Sequence, residues 1–190
     1  MIPSMLTTTD AIVLSLQPHS DKAHILHAYT RAGGRLNYMV YGLGKKKSGG
    51  TYSPLSIVQL TTDEKSIRTA QLTFVPASIP TDPYKRTIAL FLSEVLYHVL
   101  RHPMIDEPMY DFIAQAIKEL DSTDEPQNFH LQFLVGLAAK LGFAMDTEIM
   151  LPRSREARQQ QLRQLCTYFE EHVETWQTPR SLEVLMEVFD

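Results

Sequence analysis

The chain has 190 residues, 44% hydrophobic and 21% charged, with a formal net charge of −4. That apolar fraction excludes a disordered chain, and the length suits one large domain or two small ones rather than a multidomain machine. Its single cysteine, Cys166, excludes an internal disulfide and any four-cysteine zinc site.

Up to Val75 the apolar runs are short and β-rich: Ala11–Leu16, Ile25–Tyr29, Leu36–Tyr41, Leu55–Leu60 and Ala70–Val75. Turn-forming stretches separate them at Pro18–Asp21, Ala32–Gly34, Gly42–Gly50 and Thr61–Glu64. Five short strands with no helical period between them predict a small antiparallel barrel, of the oligonucleotide-binding (OB) or the SH3-like kind.

From Thr81 the period becomes helical. Thr81-Asp82-Pro83 is a helix start signal, and Ile88, Phe91, Leu92, Val95, Leu96 and Val99 recur at spacings of three and four until Pro103 intervenes. Further helices are predicted over Glu107–Leu120, over Phe129–Leu141 with Asn128 as cap and Gly142 as stop, over Arg155–Val173, and from Thr178-Pro179 to Phe189. The fold class is therefore α+β, a barrel over residues 1–80 followed by an all-helical bundle over 81–190.

Charge divides near the same place. Residues 1–86 carry ten Lys/Arg against five Asp/Glu, and residues 87–190 carry eight against seventeen. A basic front and an acidic rear imply different partners, one of them a polyanion. The apolar stretches are broken by Glu94 and Lys140, so no bilayer span is expected, and the first residues lack an export signal, which makes the cytoplasm the expected compartment.

The loop Gly42–Gly50 holds Lys45, Lys46 and Lys47 among glycines, placing mobile positive charge on backbone that can approach a phosphate. It is not a nucleotide P-loop, because Met39 and Lys46 occupy positions where that motif needs Gly and Ser/Thr. Arg31 and Arg35 flank the Gly33-Gly34 turn, Lys65 and Arg68 the next hairpin, and Lys85 and Arg86 stand where barrel gives way to bundle. Tyr29, Tyr38, Tyr41, Tyr52 and Tyr84 fall among them, and cations interleaved with flat rings are what a single strand needs. These nine cations are the candidate DNA-binding residues.

His98 and His102, four apart on a helix, and the group His19, Asp21, His24 and His27 lack the partners of a recognisable metal site. No catalytic triad or paired carboxylates stand out. An enzyme is disfavoured, and neither metal nor cofactor is expected.

Several segments resemble the bacterial RecO family. Thr9–Leu14 and Ser20–Leu26 resemble its first two strands, and Tyr29–Arg35, Val40–Gly42 with the lysine loop, and Ser53–Leu55 resemble the pattern that follows. Leu92–Leu96, Lys140–Phe143 and Arg180–Leu185 resemble three of its helices. The resemblance implies an N-terminal OB domain, a helical C-terminal domain, and a mediator of RecF-pathway recombination that binds and anneals DNA. Its partners would be single- and double-stranded DNA, RecR and single-strand binding protein (SSB), with RecA loading as the outcome. Phe129 and Lys140 would lie near the docking place of the SSB tail, although Asn128 and His130 stand where the family commonly has arginine. The family's four-cysteine zinc site cannot form with Cys166 alone, and the stretch after Phe143 is short for the family. The competing expectation is a protein–protein adaptor whose basic barrel and acidic bundle bind proteins and no nucleic acid.

Overall fold

The computed structural model of the chain describes residues 6–43, 50–145 and 151–188. Two compact units are present, one comprising residues up to Val75 together with Leu100–Ala114, the other Pro76–Val99 together with the residues from Gln115 onward. The boundary expected near residue 80 is thus followed by a return of the chain, because Leu100–Ala114 cluster with the barrel.

In the first unit five strands close into a barrel in the order β1-β2-β3-β5-β4. They are β1 (Leu6–Ser20), β2 (Ala23–Thr30), β3 (Gly34–Tyr41), β4 (Ile57–Asp63) and β5 (Ser66–Leu72). All pairings are antiparallel except one short parallel contact, Met39 opposite Ser66, which closes the barrel. Alternate residues point inward: Ala11 and Val13, Leu26 and Ala28, Tyr38 and Val40, Val58 and Leu60 form the buried core. Period-two alternation on neighbouring strands fixes the register, since a slip of one residue would turn this set outward.

The strands run past their expected limits at several ends, β1 to Ser20 and β4 to Asp63 among them, and three further departures have an identifiable cause. β1 starts at Leu6 rather than Ala11, because Thr7, Thr8 and Thr9 pair with Thr62, Thr61 and Leu60 of β4. Facing threonine hydroxyls 3.0 Å apart (Thr7 and Thr62) and 3.2 Å apart (Thr8 and Thr61) continue the sheet without apolar side chains. β4 begins at Ile57 rather than Leu55, because Leu55 has φ 61°, a left-handed conformation that ends extension. β5 spans Ser66–Leu72 rather than Ala70–Val75: the β4–β5 turn falls at Glu64-Lys65, with Asp63 paired to Ser66.

The second unit contains α1 (Pro83–Val99), the later part of α2 (Glu107–Ser122), a single 3-10 turn at Pro126–Asn128, α3 (Phe129–Lys140), α4 (Arg155–His172) and α5 (Leu182–Val188). Asp82 starts α1 by accepting from the backbone N–H of Tyr84 at 2.8 Å and Lys85 at 3.3 Å. Phe91, Leu92 and Leu96 of α1, Leu131 and Leu134 of α3, and Phe169 of α4 are among its fully buried side chains. Asn128 does not cap α3 with its side chain; its Nδ2 donates to the Pro152 carbonyl at 3.1 Å instead. Gly142 does stop that helix. With φ 90° it allows its own N–H to reach Ala139 O (3.2 Å) and the Phe143 N–H to reach Ala138 O (3.1 Å). Among the described residues no helix is long and apolar enough to cross a membrane.

Candidate nucleic-acid interface

The expected cations take up very different environments. Lys45, Lys46 and Lys47 lie outside the described residues. Lys65 is exposed at the β4–β5 turn, and its carbonyl accepts from the Met39 N–H at 2.7 Å, so the turn is anchored while its ammonium faces solvent. Arg68 is exposed on β5 and bonded through two of its nitrogens to Asp63 Oδ2. In the other unit, Arg86 is exposed on the first turns of α1.

Two of the nine are not surface cations. Arg35 is buried: its Nη1 donates to the Leu100 carbonyl at 3.1 Å, and another guanidinium nitrogen lies 3.2 Å from His27 Nδ1. His27 is buried against Asn37, 2.6 Å from its Oδ1. Desolvation lowers its pKa, with the Arg35 charge adding to that and the Asn37 bond opposing. Lys85 is only 5% exposed, and its ammonium donates to Ser78 Oγ at 2.7 Å and to the Asp121 carbonyl at 2.8 Å. The expectation that Arg35 and Lys85 meet phosphate is therefore corrected. A guanidinium and an ammonium committed to carbonyls inside the fold are structural groups.

Arg31 falls between these extremes. Its guanidinium hydrogen-bonds Asp111, lies 3.6 Å from the Glu107 carboxylate, and stands over the Tyr110 ring at 4.5 Å from the centroid. The bond to Asp111 chiefly holds its pKa above the ordinary arginine value. Glu107, Tyr110 and Asp111 stand at i, i+3 and i+4 on the first turns of α2, one face of a helix. This cradle is legible only as a helical spacing in the sequence, and nothing there couples it to Arg31.

The tyrosines divide as well. Tyr29 and Tyr38 are buried, Tyr52 packs partly buried against the barrel core, and Tyr41 and Tyr84 are exposed. Tyr29 stacks on Tyr110 with ring centroids 6.5 Å apart, and burial pushes both phenols up to about 12. Among the described tyrosines of the barrel strands, Tyr41 at the end of β3 is thus the exposed one.

Phe129 is half-buried at the start of α3, and Lys140 is exposed at its end. A feature that the sequence does not reveal lies nearby: Arg155, Arg158 and Gln159 of α4 line a small cavity with His130 and Met186. Among the described residues, no three His, Cys, Asp or Glu side chains converge as a metal site requires.

A closed barrel with strand order β1-β2-β3-β5-β4, followed by an all-helical region, defines an OB-fold protein with an appended helical domain. Residues 5–75 match the family described as Recombination protein O N terminal, and residues 80–148 match Recombination protein O C terminal. The chain belongs to the RecO family. It is 37% identical over 164 residues to the DNA repair protein RecO of Porphyromonas gingivalis, covering 78% of this chain and 67% of that protein. It is 33% identical over 154 residues to the RecO of Phocaeicola vulgatus, covering 76% and 64%. The RecO of Christiangramia forsetii aligns over 238 positions at 25% identity, covering 97% of this chain and all of that protein. An alignment longer than the 190-residue chain means that this last relative carries segments without a counterpart here.

Proposed function

We propose that this chain binds single- and double-stranded DNA and serves as a recombination mediator and strand-annealing protein in RecF-pathway repair. In that reading it acts with RecR on strands coated by SSB, docks the SSB tail near Phe129 and Lys140, and so assists RecA loading. The observation that carries the reading is a closed OB barrel in a chain whose relatives are DNA repair proteins.

The physical mechanism is charge neutralisation. Annealing brings two phosphate backbones together, and cations lower their repulsion while aromatic rings hold unstacked bases. The groups proposed for it are Lys45, Lys46 and Lys47, which follow β3 in the sequence, Lys65, Arg68 and Arg86, with Tyr41 as the ring for stacking. No bond is made or broken, so the mechanism requires no catalytic residue, metal or cofactor.

A strand-annealing assay with and without SSB, at two salt concentrations, tests the reading. Annealing of SSB-coated strands is the expected result. Changing Lys45, Lys46 and Lys47 together to Ala should weaken binding and flatten the salt dependence by about 0.7 in log–log slope for each phosphate that is no longer neutralised. Tight association with a protein and no DNA binding at physiological salt would favour the adaptor reading instead.

A further inference from the structure

The Arg31 cradle is built like a phosphate site already filled. A guanidinium on the barrel meets two carboxylates that belong to a single helical face, and the aromatic ring between them supports its plane. Carboxylate and phosphate offer an arginine the same bidentate oxygen geometry, so whichever is present competes for the same nitrogens. Neither carboxylate is buried: the side chains of Glu107 and Asp111 are 65% and 61% exposed, and that of Arg31 is 36% exposed. Exposed ion pairs of this kind are weak and exchange readily.

We propose that Glu107 and Asp111 form a built-in acidic mask, occupying Arg31 in place of a DNA phosphate and holding down the affinity of the barrel for polynucleotide. With two carboxylates against one guanidinium, the locality carries a net negative charge and repels a phosphate backbone until Arg31 exchanges partners. The mask limits non-specific capture of DNA, which is chiefly electrostatic. This inference rests on the DNA-binding reading above.

The test is a cycle of variants read by fluorescence anisotropy with labelled oligothymidylate across a salt series: native chain, R31A, E107Q/D111N, and all three changes together. E107Q/D111N should tighten binding about two- to fivefold, the scale of an exposed ion pair, and steepen the log–log salt slope by about 0.7 for one more phosphate neutralised. R31A should change the affinity of the native chain by less than about twofold, yet weaken the E107Q/D111N protein about two- to fivefold. If the amide changes tighten binding equally with and without Arg31, the effect is one of general charge and the mask is refuted. If the native chain and every variant fail to bind the oligonucleotide, the DNA-binding reading fails and the mask with it. Thermal melts of all four proteins confirm that the exposed substitutions leave the fold intact.

Discussion

The Lys85 ammonium lies 2.8 Å from the main-chain oxygen of Asp121, while the carboxylate of the same aspartate accepts from the backbone N–H groups of Ala77 (2.9 Å), Ser78 (2.8 Å) and Ile79 (2.9 Å). Ser78 Oγ completes the knot by accepting from Lys85 at 2.7 Å. One acidic residue near the end of α2 thereby fixes the segment that leads into α1, and the buried lysine of α1 satisfies a carbonyl at the C-terminus of α2.

Lys85→Met keeps the aliphatic stem but removes the ammonium from Ser78 Oγ and from the Asp121 carbonyl, which then keeps only the Ser78 hydroxyl as donor, so it should destabilise the helical unit by about 2 kcal/mol in denaturant unfolding. The salt dependence of DNA binding should be unaltered by it. Asp121→Ala should cost at least as much. Burial pushes the Asp121 pKa up, but the three backbone bonds and the Ser78 hydroxyl outweigh that and hold it below the ordinary carboxylate value. Its contribution is therefore present above the unfolded pKa and is lost as pH falls through the lower folded value, a step that Asp121→Ala should remove from the stability–pH curve.

His130 predicts a second acid sensitivity in the same unit. Desolvation first, and the nearby Arg158 charge second, push its pKa down from 6.5 to about 3. The folded state thus holds His130 neutral while the unfolded chain protonates near 6.5, so stability should fall progressively as pH drops from about 6.5 toward 3. His130→Gln should flatten that part of the profile in unfolding curves recorded at successive pH values.

Cys166 should be inert in the folded protein. Burial, with Glu170 adding to it, pushes the thiol up to about 12, and the residue is 8% exposed. A thiol reagent at mildly alkaline pH should label it only in denaturant, and the labelling rate should follow global or local unfolding. Rapid labelling of native protein would contradict its place on the buried face of α4.

Gly34→Ala should be poorly tolerated. Its φ is 65°, and an added Cβ would come 2.2 Å from the Met104 carbonyl oxygen, a backbone atom that cannot rotate aside. A loss of more than about 1 kcal/mol is expected, measured as a lowered midpoint in thermal or denaturant unfolding.

Where apolar residues alternate, as at Ala11 and Val13 or Leu26 and Ala28, the strands are legible from sequence because the same side chains that carry the pattern fill the barrel. The start of β1 is not legible that way, since its pairing with β4 is carried by threonines whose hydroxyls meet one another. The helices read well through their stripes, while Asn128 has the look of a cap and donates elsewhere. Cations are the least legible of all. Arg35 and Arg68 both stand near the start of a strand that follows a turn, yet one is buried against Leu100 and the other is exposed beside Asp63, and only tertiary contacts distinguish them.

The company that Leu100–Ala114 keep has a bearing on synthesis order. A ribosome releases all five strands, then α1, and only afterwards the residues whose Tyr110 packs on Tyr29 and whose Met104 backbone abuts Gly34. A nascent chain stopped at Val75 has every strand and lacks that covering segment, leaving the Tyr29 ring without its stacking neighbour. Fragments cut at the family-domain border should accordingly be more prone to aggregate than a version that retains everything through Ala114.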